Sequence, residues 1–173
     1  MEPQFTNLER VLNEFGQEFV NAVADEIIKA EGIASGEMLN TLDFEVVKEN
    51  GSYVVYLDHT DYFQYFDKGT APHWPPYDSD AKTFPDIAKW INDKGLPTSD
   101  STGWGDLPTV RELAFLISRK ISENGTEARD VFEKAYMNVV PKYEEKWNEA
   151  LAQDIVDNYL NGYNVEDWEI LKI

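Results

Sequence analysis

The residues able to do chemistry in this chain are few and scattered. His59 and His73 stand among Asp58, Asp61, Asp67, Asp78 and Asp80, and nitrogen and oxygen donors of this kind are what a divalent metal takes as ligands. Their spacing carries no metal signature. There is no His-x-x-x-His pair to set two imidazoles on one helical face, and Asp78-Ser79-Asp80 lacks the glycine and the distal glutamate of a calcium loop. A serine nucleophile of the α/β-hydrolase type sits on a strained Gly-x-Ser-x-Gly elbow, which the sequence does not contain. Gly103-Trp104-Gly105 is too short to cradle a phosphate and is followed by neither a lysine nor a helix start. Carboxylates abound, but nothing singles out one pair for sugar chemistry. The expectation is therefore no catalytic, metal or cofactor-binding residue. The enzyme reading that names residues is a metal-dependent hydrolase on His59, His73 and the nearby aspartates.

The other chemical candidates are aromatic. Tyr62, Phe63, Tyr65 and Phe66 resemble a stacking platform for nucleic-acid bases, but such platforms need basic residues to hold the backbone and only Lys68 is near. Core packing is the expectation for these four rings. Trp74, Tyr77 and Trp104 fall in loops with little around them to pack on, and large flat side chains of this kind contribute much contact energy for little entropy lost. They are candidate subunit-interface residues, the alternative being that each ring folds back onto its own domain.

The elements that position these residues follow from patterning. Thr6-Asn7-Leu8-Glu9 reads as a capping box, with Thr6 accepting from the Glu9 amide and Glu9 reaching back. Leu8, Val11, Leu12, Phe15, Phe19, Val23 and Ile27 then recur at helical spacing and predict an amphipathic helix to about Ala30, stopped by Gly32. A short helical turn follows from Gly36 to about Thr41. Phe44 and Val46, then Tyr53, Val55 and Leu57, mark two strands around Asn50-Gly51, a dipeptide that supplies the positive φ angles of a tight hairpin. The second strand is apolar on both faces, which predicts cover on both sides or pressure against a partner chain. Asp61 to Lys68 reads as a short helix closed by Gly69.

Residues 71–83 and 97–107 read as loops. Phe84, Ile87, Trp90 and Ile91 predict a helix over about 85–94. Val110, Leu113, Ala114, Ile117 and Ile121 predict another behind the capping box Thr109-Val110-Arg111-Glu112. Asn124-Gly125-Thr126 is expected to end that helix and start the next, which carries Val131, Phe132, Ala135 and Tyr136 toward a break at Pro141. A last helix places Tyr143, Trp147, Leu151, Ile155 and Tyr159 at four-residue steps, ends at Gly162, and leaves an apolar tail expected to dock on this domain or a neighbour. The fold class expected is α+β: a small, mostly antiparallel sheet packed by a long N-terminal helix and several C-terminal helices. The pattern shows no repeat and no boundary, so residues 1–173 read as one domain with 141–173 as a helical C-terminal extension.

Composition limits the function. In 173 residues, 33 acidic against 15 basic side chains give a net charge of −18, which repels phosphate backbones and disfavours conventional DNA or RNA binding. A surface that nucleic acid slides past without sticking is also acidic, as is an ordinary soluble one. With no cysteine, disulfides, thiolate zinc sites and a cysteine nucleophile are excluded. No apolar run approaches the roughly 18 residues a membrane span needs, and the N-terminus lacks the layout of a signal peptide; a soluble protein without membrane partners is expected.

Three motifs in order resemble the tailed-phage neck proteins of the tail-completion, or head–tail joining, family. Ser35-Gly36-Glu37-Met38-Leu39-Asn40-Thr41 is similar to the family's Thr/Ser-Gly-x-Leu-x-x-Ser/Thr turn before a hairpin, with Met38 in place of the usual leucine. Tyr62-Phe63-Gln64-Tyr65-Phe66-Asp67-Lys68-Gly69-Thr70 is similar to its Tyr-x-x-Tyr-(apolar)-Glu/Asp-x-Gly-Thr segment. Ala114 to Ile121, then Gly125-Thr126 and a helix containing Phe132, resemble its downstream helices. The resemblance covers roughly residues 8–140, and the extension after 140 is long for the family. In these motifs Gly36, Met38, Thr41, Tyr62, Tyr65, Gly69 and Thr70 hold a shape and make no bonds with substrate: Gly36 and Gly69 permit sharp turns, while Thr41 and Thr70 satisfy backbone groups freed there.

What the resemblance implies is a structural virion protein, assembled in the host cytoplasm. Several copies would form a ring in the neck between portal (connector) and tail proteins. Genomic DNA would pass through the lumen without specific binding, kept from adhering by the acidic surface. A closed ring needs a head-to-tail interface with two different patches per subunit. One is assigned to the sheet edge with loop 71–83, the other to the N-terminal helix or loop 97–107. The alternative outside this class is a soluble acidic module that mimics DNA charge and binds a basic partner.

Overall fold

In the computed structural model, which describes residues 4–30, 36–99 and 107–160, Asn50 and Gly51 take positive φ angles of 50° and 82°. These angles join strand β1 (Asp43–Glu49) to β2 (Ser52–Asp58) through a two-residue turn, with Glu49 opposite Ser52 and Asp43 opposite Asp58. This is the hairpin that Asn-Gly predicts. The helices are α1 (Thr6–Lys29), α2 (Glu37–Asn40), α3 (Phe63–Lys68), α4 (Pro85–Asp93), α5 (Val110–Asn124), α6 (Val131–Val139) and α7 (Glu144–Ile155). A 3₁₀ turn at Val140–Lys142 carries Pro141 between α6 and α7, and a π turn at Val156–Leu160 follows α7. The fold is α+β, with one two-stranded antiparallel sheet among the described residues.

The chain divides into two compact units, each assembled from separated segments. Met1–Val23, Asp43–Asp58 and Glu133–Ile173 make the first, and Ala24–Leu42 with His59–Phe132 the second. Because the segments interleave, no single cut in the sequence separates the units, and no linker marks them.

In the first unit, Val11, Phe15, Phe19 and Val23 of α1 are buried, as are Val139, Tyr143 and Ala150. Phe15 stacks on Phe19 at 5.5 Å and meets the rings of Tyr143 and Trp147 edge-on at 5.5 and 5.1 Å, an arrangement suited to the ring quadrupoles. Gly16 lets the Phe44 ring lie against the α1 backbone, since a Cβ there would overlap that ring. One hairpin face therefore packs inward while the other stays open. No residue of either strand is fully buried, so within this chain β2 is covered on one side only, and the first of the two arrangements its apolar pattern allows, cover on both sides, does not hold.

Two expectations fail in this unit for identifiable reasons. The Glu9 amide donates to the Phe5 carbonyl at 3.0 Å, so the helix begins at Thr6 itself, which lies inside it instead of capping it. The next exposed amides go to Asp154: Asn7 N at 3.0 Å and Leu8 N at 2.8 Å. In α7 the four-residue stripe does not stay inward. Steps of four advance about 40° each around a helix of 3.6 residues per turn, so the inward line runs Tyr143, Trp147, Ala150, Asp154 while Leu151, Ile155 and Tyr159 are exposed. Phe132 and Tyr136 of α6 are likewise exposed, and Val131, Ala135 and Val139 carry its buried face.

Glu18 ties α1 to the start of α7. Lys142 and Tyr143 donate hydrogen bonds to it at 2.8 and 2.9 Å, and these bonds hold its carboxyl below the ordinary 4.5. Burial, together with the bond to Glu18, pushes the Tyr143 phenol up to about 12. Glu18 is depressed in the fold, so its contribution is present above pH 4.5 and is lost as pH falls through the folded value. Tyr143 is raised, so its contribution is present below the ordinary 10.0 and is lost as pH rises toward 12. In urea titrations from about pH 7 to about pH 3, Glu18→Gln is expected to flatten the fall in stability relative to wild type. An unchanged slope would remove Glu18 from the acid response.

In the second unit, Ile27, Met38, Phe63, Phe66, Phe84, Ile91, Ala114 and Val131 are buried. Thr109 and Glu112 form the expected capping box at the start of α5, the Glu112 amide donating to the Thr109 hydroxyl and the Thr109 amide to the Glu112 carboxylate at 2.9 Å. Among the described residues no helix is long and apolar enough to cross a membrane.

Candidate functional site

Two glycine–threonine pairs, Gly69-Thr70 after α3 and Gly125-Thr126 after α5, lock face to face in the second unit. Thr70 N donates to Thr126 O and Thr126 N to Thr70 O, both at 3.1 Å, and the two hydroxyls share a third hydrogen bond at 3.1 Å. Thr70 and Thr126 thus form an isolated antiparallel bridge. Both glycines have positive φ, 67° and 72°. A Cβ on Gly69 would strike the Thr126 carbonyl oxygen, and one on Gly125 would strike the Thr70 carbonyl oxygen. Each glycine is needed for its own backbone angle and for the approach of the other strand.

Asp67 extends this clasp. It is 4% exposed; its carbonyl accepts from the amides of Arg129 (2.8 Å) and Asp130 (3.0 Å). Its carboxylate accepts from the Phe132 amide at 3.0 Å, at the N-terminus of α6, where unsatisfied amides and the helix dipole favour negative charge. Lys68 Nζ reaches both Asp67 (3.3 Å) and Asp130 (3.1 Å), and these bonds, Asp130's first, raise the Lys68 pKa. The Arg129 guanidinium lies 4.5 Å above the Phe66 ring. Segment 125–132 is zipped onto 67–70 from end to end. The expectation that Thr126 starts the next helix is corrected: it is held in the bridge, and α6 begins at Val131.

The other motif residues sit as follows. Gly36 has a φ of 80° at the start of α2, Met38 is buried, and the Thr41 hydroxyl donates to the carbonyls of Glu37 (3.0 Å) and Met38 (3.3 Å). In α3 the aromatic cluster divides. Phe63 and Phe66, three apart, are buried, whereas Tyr62 and Tyr65 are exposed, so core packing holds for the two phenylalanines and not for the tyrosines. His59 lies 4.9 Å from the Phe63 ring and its Nδ1 donates to the Thr60 carbonyl; His73 Nδ1 donates to the Ala71 carbonyl. Among the described residues no group of three or more His, Cys, Asp or Glu is placed to hold a metal ion.

Trp74 and Tyr77 pack on rings of their own unit and are also exposed. Trp74 stacks on Phe84 at 6.0 Å and lies 6.4 Å from Phe115, and Tyr77 meets Phe84 edge-on at 5.1 Å. Yet Trp74 and Tyr77 are each 56% exposed, and Phe115 is 50% exposed. The rings fold onto their own unit and still present an open aromatic surface. Phe115 was not among the loop aromatics, but its position off the Val110, Leu113, Ala114, Ile117, Ile121 stripe is the signal for its exposure. Trp104, Ser35, Gly32 and the tail 161–173 lie outside the described residues.

No protein family, no curated protein and no solved structure matches this chain.

Proposed function

We propose that this protein is a structural subunit of a tailed-phage particle, present in several copies as a ring in the neck between portal and tail, through which the genome passes without specific binding. The observation that carries the reading is the clasp. The two glycine–threonine elements picked out by resemblance, 56 residues apart at their threonines, meet each other in reciprocal hydrogen bonds. They serve shape, as a scaffold subunit requires. The net charge of −18 suits a lumen past which DNA slides, and the open aromatic surface around Trp74 suits contact with another subunit. The particle, assembled in the host cytoplasm, would be the protein's place of residence.

Purified protein, alone or on a portal or tail template, is expected to form rings visible by electron microscopy. Protein that stays monomeric in both settings, or is missing from virions of its phage, would overturn the reading.

A further inference from the structure

A chain carrying −18 can meet its own copy only where the local sign is reversed or the surface is apolar, because like charges brought together cost several kcal/mol. The second unit offers such a place. On α5, Arg111, Phe115 and Arg119 follow at four-residue steps and share one exposed face. Trp74 lies 6.4 Å from Phe115 and extends that face with a second half-exposed ring. Arg111 makes no ion pair among the described residues, and Arg119 pairs only with Glu123, across two side chains that are 61% and 55% exposed. Such exposed pairs contribute little and exchange readily. The face is therefore aromatic at its centre, with an unpaired cation at the Arg111 end and an exposed, exchangeable Arg119–Glu123 pair at the other.

The first unit carries a surface of the opposite kind. Strand alternation and register put Asp43, Glu45 and Glu49 on one face of the hairpin with Asp58 and Tyr56, Asp43 lying directly opposite Asp58 and Glu45 opposite Tyr56. These five residues are exposed, and Lys48, the hairpin's one cation, belongs to the other face, over the rings of Phe5 and Tyr53. Like charges directly opposite on a sheet are destabilising, and a cationic partner relieves that repulsion.

We propose that the Trp74/Phe115 surface, flanked by Arg111 and Arg119, is docked by the outer hairpin face of a second copy, so that copies join head to tail through two different patches. This rests on the self-association proposed above and differs from the pairing expected from sequence: the hairpin and loop 71–83 belong to different units and act as the two halves of the contact. A heterologous contact of this kind is what a ring requires.

The test is a compensating charge swap, read by sedimentation velocity under conditions where the wild-type chain assembles. Glu45→Lys with Asp58→Lys, and separately Arg111→Glu with Arg119→Glu, are each expected to weaken self-association by about tenfold or more. Mixing the two variants should restore assembly with copies in alternation, since each hairpin then meets an α5 face of opposite sign, and all four changes in one chain should also restore assembly. The chain has no cysteine, so Glu45→Cys and Arg111→Cys give a clean second readout. With a short bismaleimide the double-cysteine chain should yield a ladder of oligomers, and either single-cysteine chain none. Cross-linking of one single-cysteine chain to itself, or assembly indifferent to the swaps, would overturn the head-to-tail contact while leaving the ring intact. A wild-type chain that is monomeric alone and on a template would overturn both.

Discussion

Gly125→Ala is expected to cost roughly 3–5 kcal/mol, enough to unfold a domain of ordinary stability or leave it marginal. Two effects add. A side chain at φ 72°, ψ −159° occupies a region almost exclusive to glycine, which costs on the order of 1–3 kcal/mol for other residues. The new Cβ would also overlap the Thr70 carbonyl oxygen, a backbone atom that cannot swing aside as a side-chain tip would. Relief requires the bridge to open, which takes both Thr70–Thr126 backbone bonds with it. Gly51 and Gly95 separate the two effects, since each has positive φ but nothing within 4 Å of an added Cβ. Alanine at either should cost only about 1–2 kcal/mol. Urea unfolding followed by far-UV circular dichroism gives all three values. Gly69→Ala should match Gly125→Ala, and the double variant should cost much less than their sum, because the second change meets a bridge already open. A Gly125→Ala variant no weaker than Gly51→Ala would remove the clasp from the account.

The features legible in the sequence were those whose partners lie close along the chain. Asn50-Gly51 dictates its turn through its own backbone angles, and Thr109 finds Glu112 three residues on. Gly69 ends α3 at the position expected, because a helix terminus needs a residue that tolerates positive φ. What stayed hidden was the partner across distance. Glycine and threonine side by side announce a turn, but nothing in Gly69-Thr70 points to Gly125-Thr126 as the surface it turns against. The amphipathic pattern also misled where it was read by apolar residues alone. In α7 the stripe was carried through Leu151 and Ile155, and the true inward line passes through Asp154, which is 1% exposed. An aspartate gives no apolar signal in the pattern, and the helix N-terminus it serves lies 147 positions away.

Asp154→Ala follows from that geometry, with an expected loss of about 2–4 kcal/mol. The carboxylate sits across the first turn of α1, accepting Asn7 N at 3.0 Å and the Asn7 side-chain amide at 2.9 Å on one oxygen and Leu8 N at 2.8 Å on the other. The first amides of a helix have no partner within it, and here a residue 147 positions away does what a neighbouring serine or threonine usually does. Hydrogen bonds to a charged acceptor contribute about 1.5–3 kcal/mol each, and the negative charge also faces the positive end of the helix dipole. The amides are partly buried, so water recovers some of the loss, which sets the estimate below the sum of the bonds. Asp154→Asn should fall between wild type and alanine, because one carbonyl oxygen can serve one amide but not both. Asn7→Ala should cost less than Asp154→Ala, as it removes one of the three bonds and leaves both backbone amides capped. Amide exchange gives the readout that a general packing loss would not: Asn7 and Leu8 should exchange faster in Asp154→Ala while the middle of α1 keeps its protection relative to the new global stability. Asp67 does the same at the start of α6, through the Phe132 amide, so two helices of the chain are started by a buried aspartate from a distant segment. If Asp154→Ala lies within about 0.5 kcal/mol of wild type, the helix start is held by its neighbours and the carboxylate is buried for another reason.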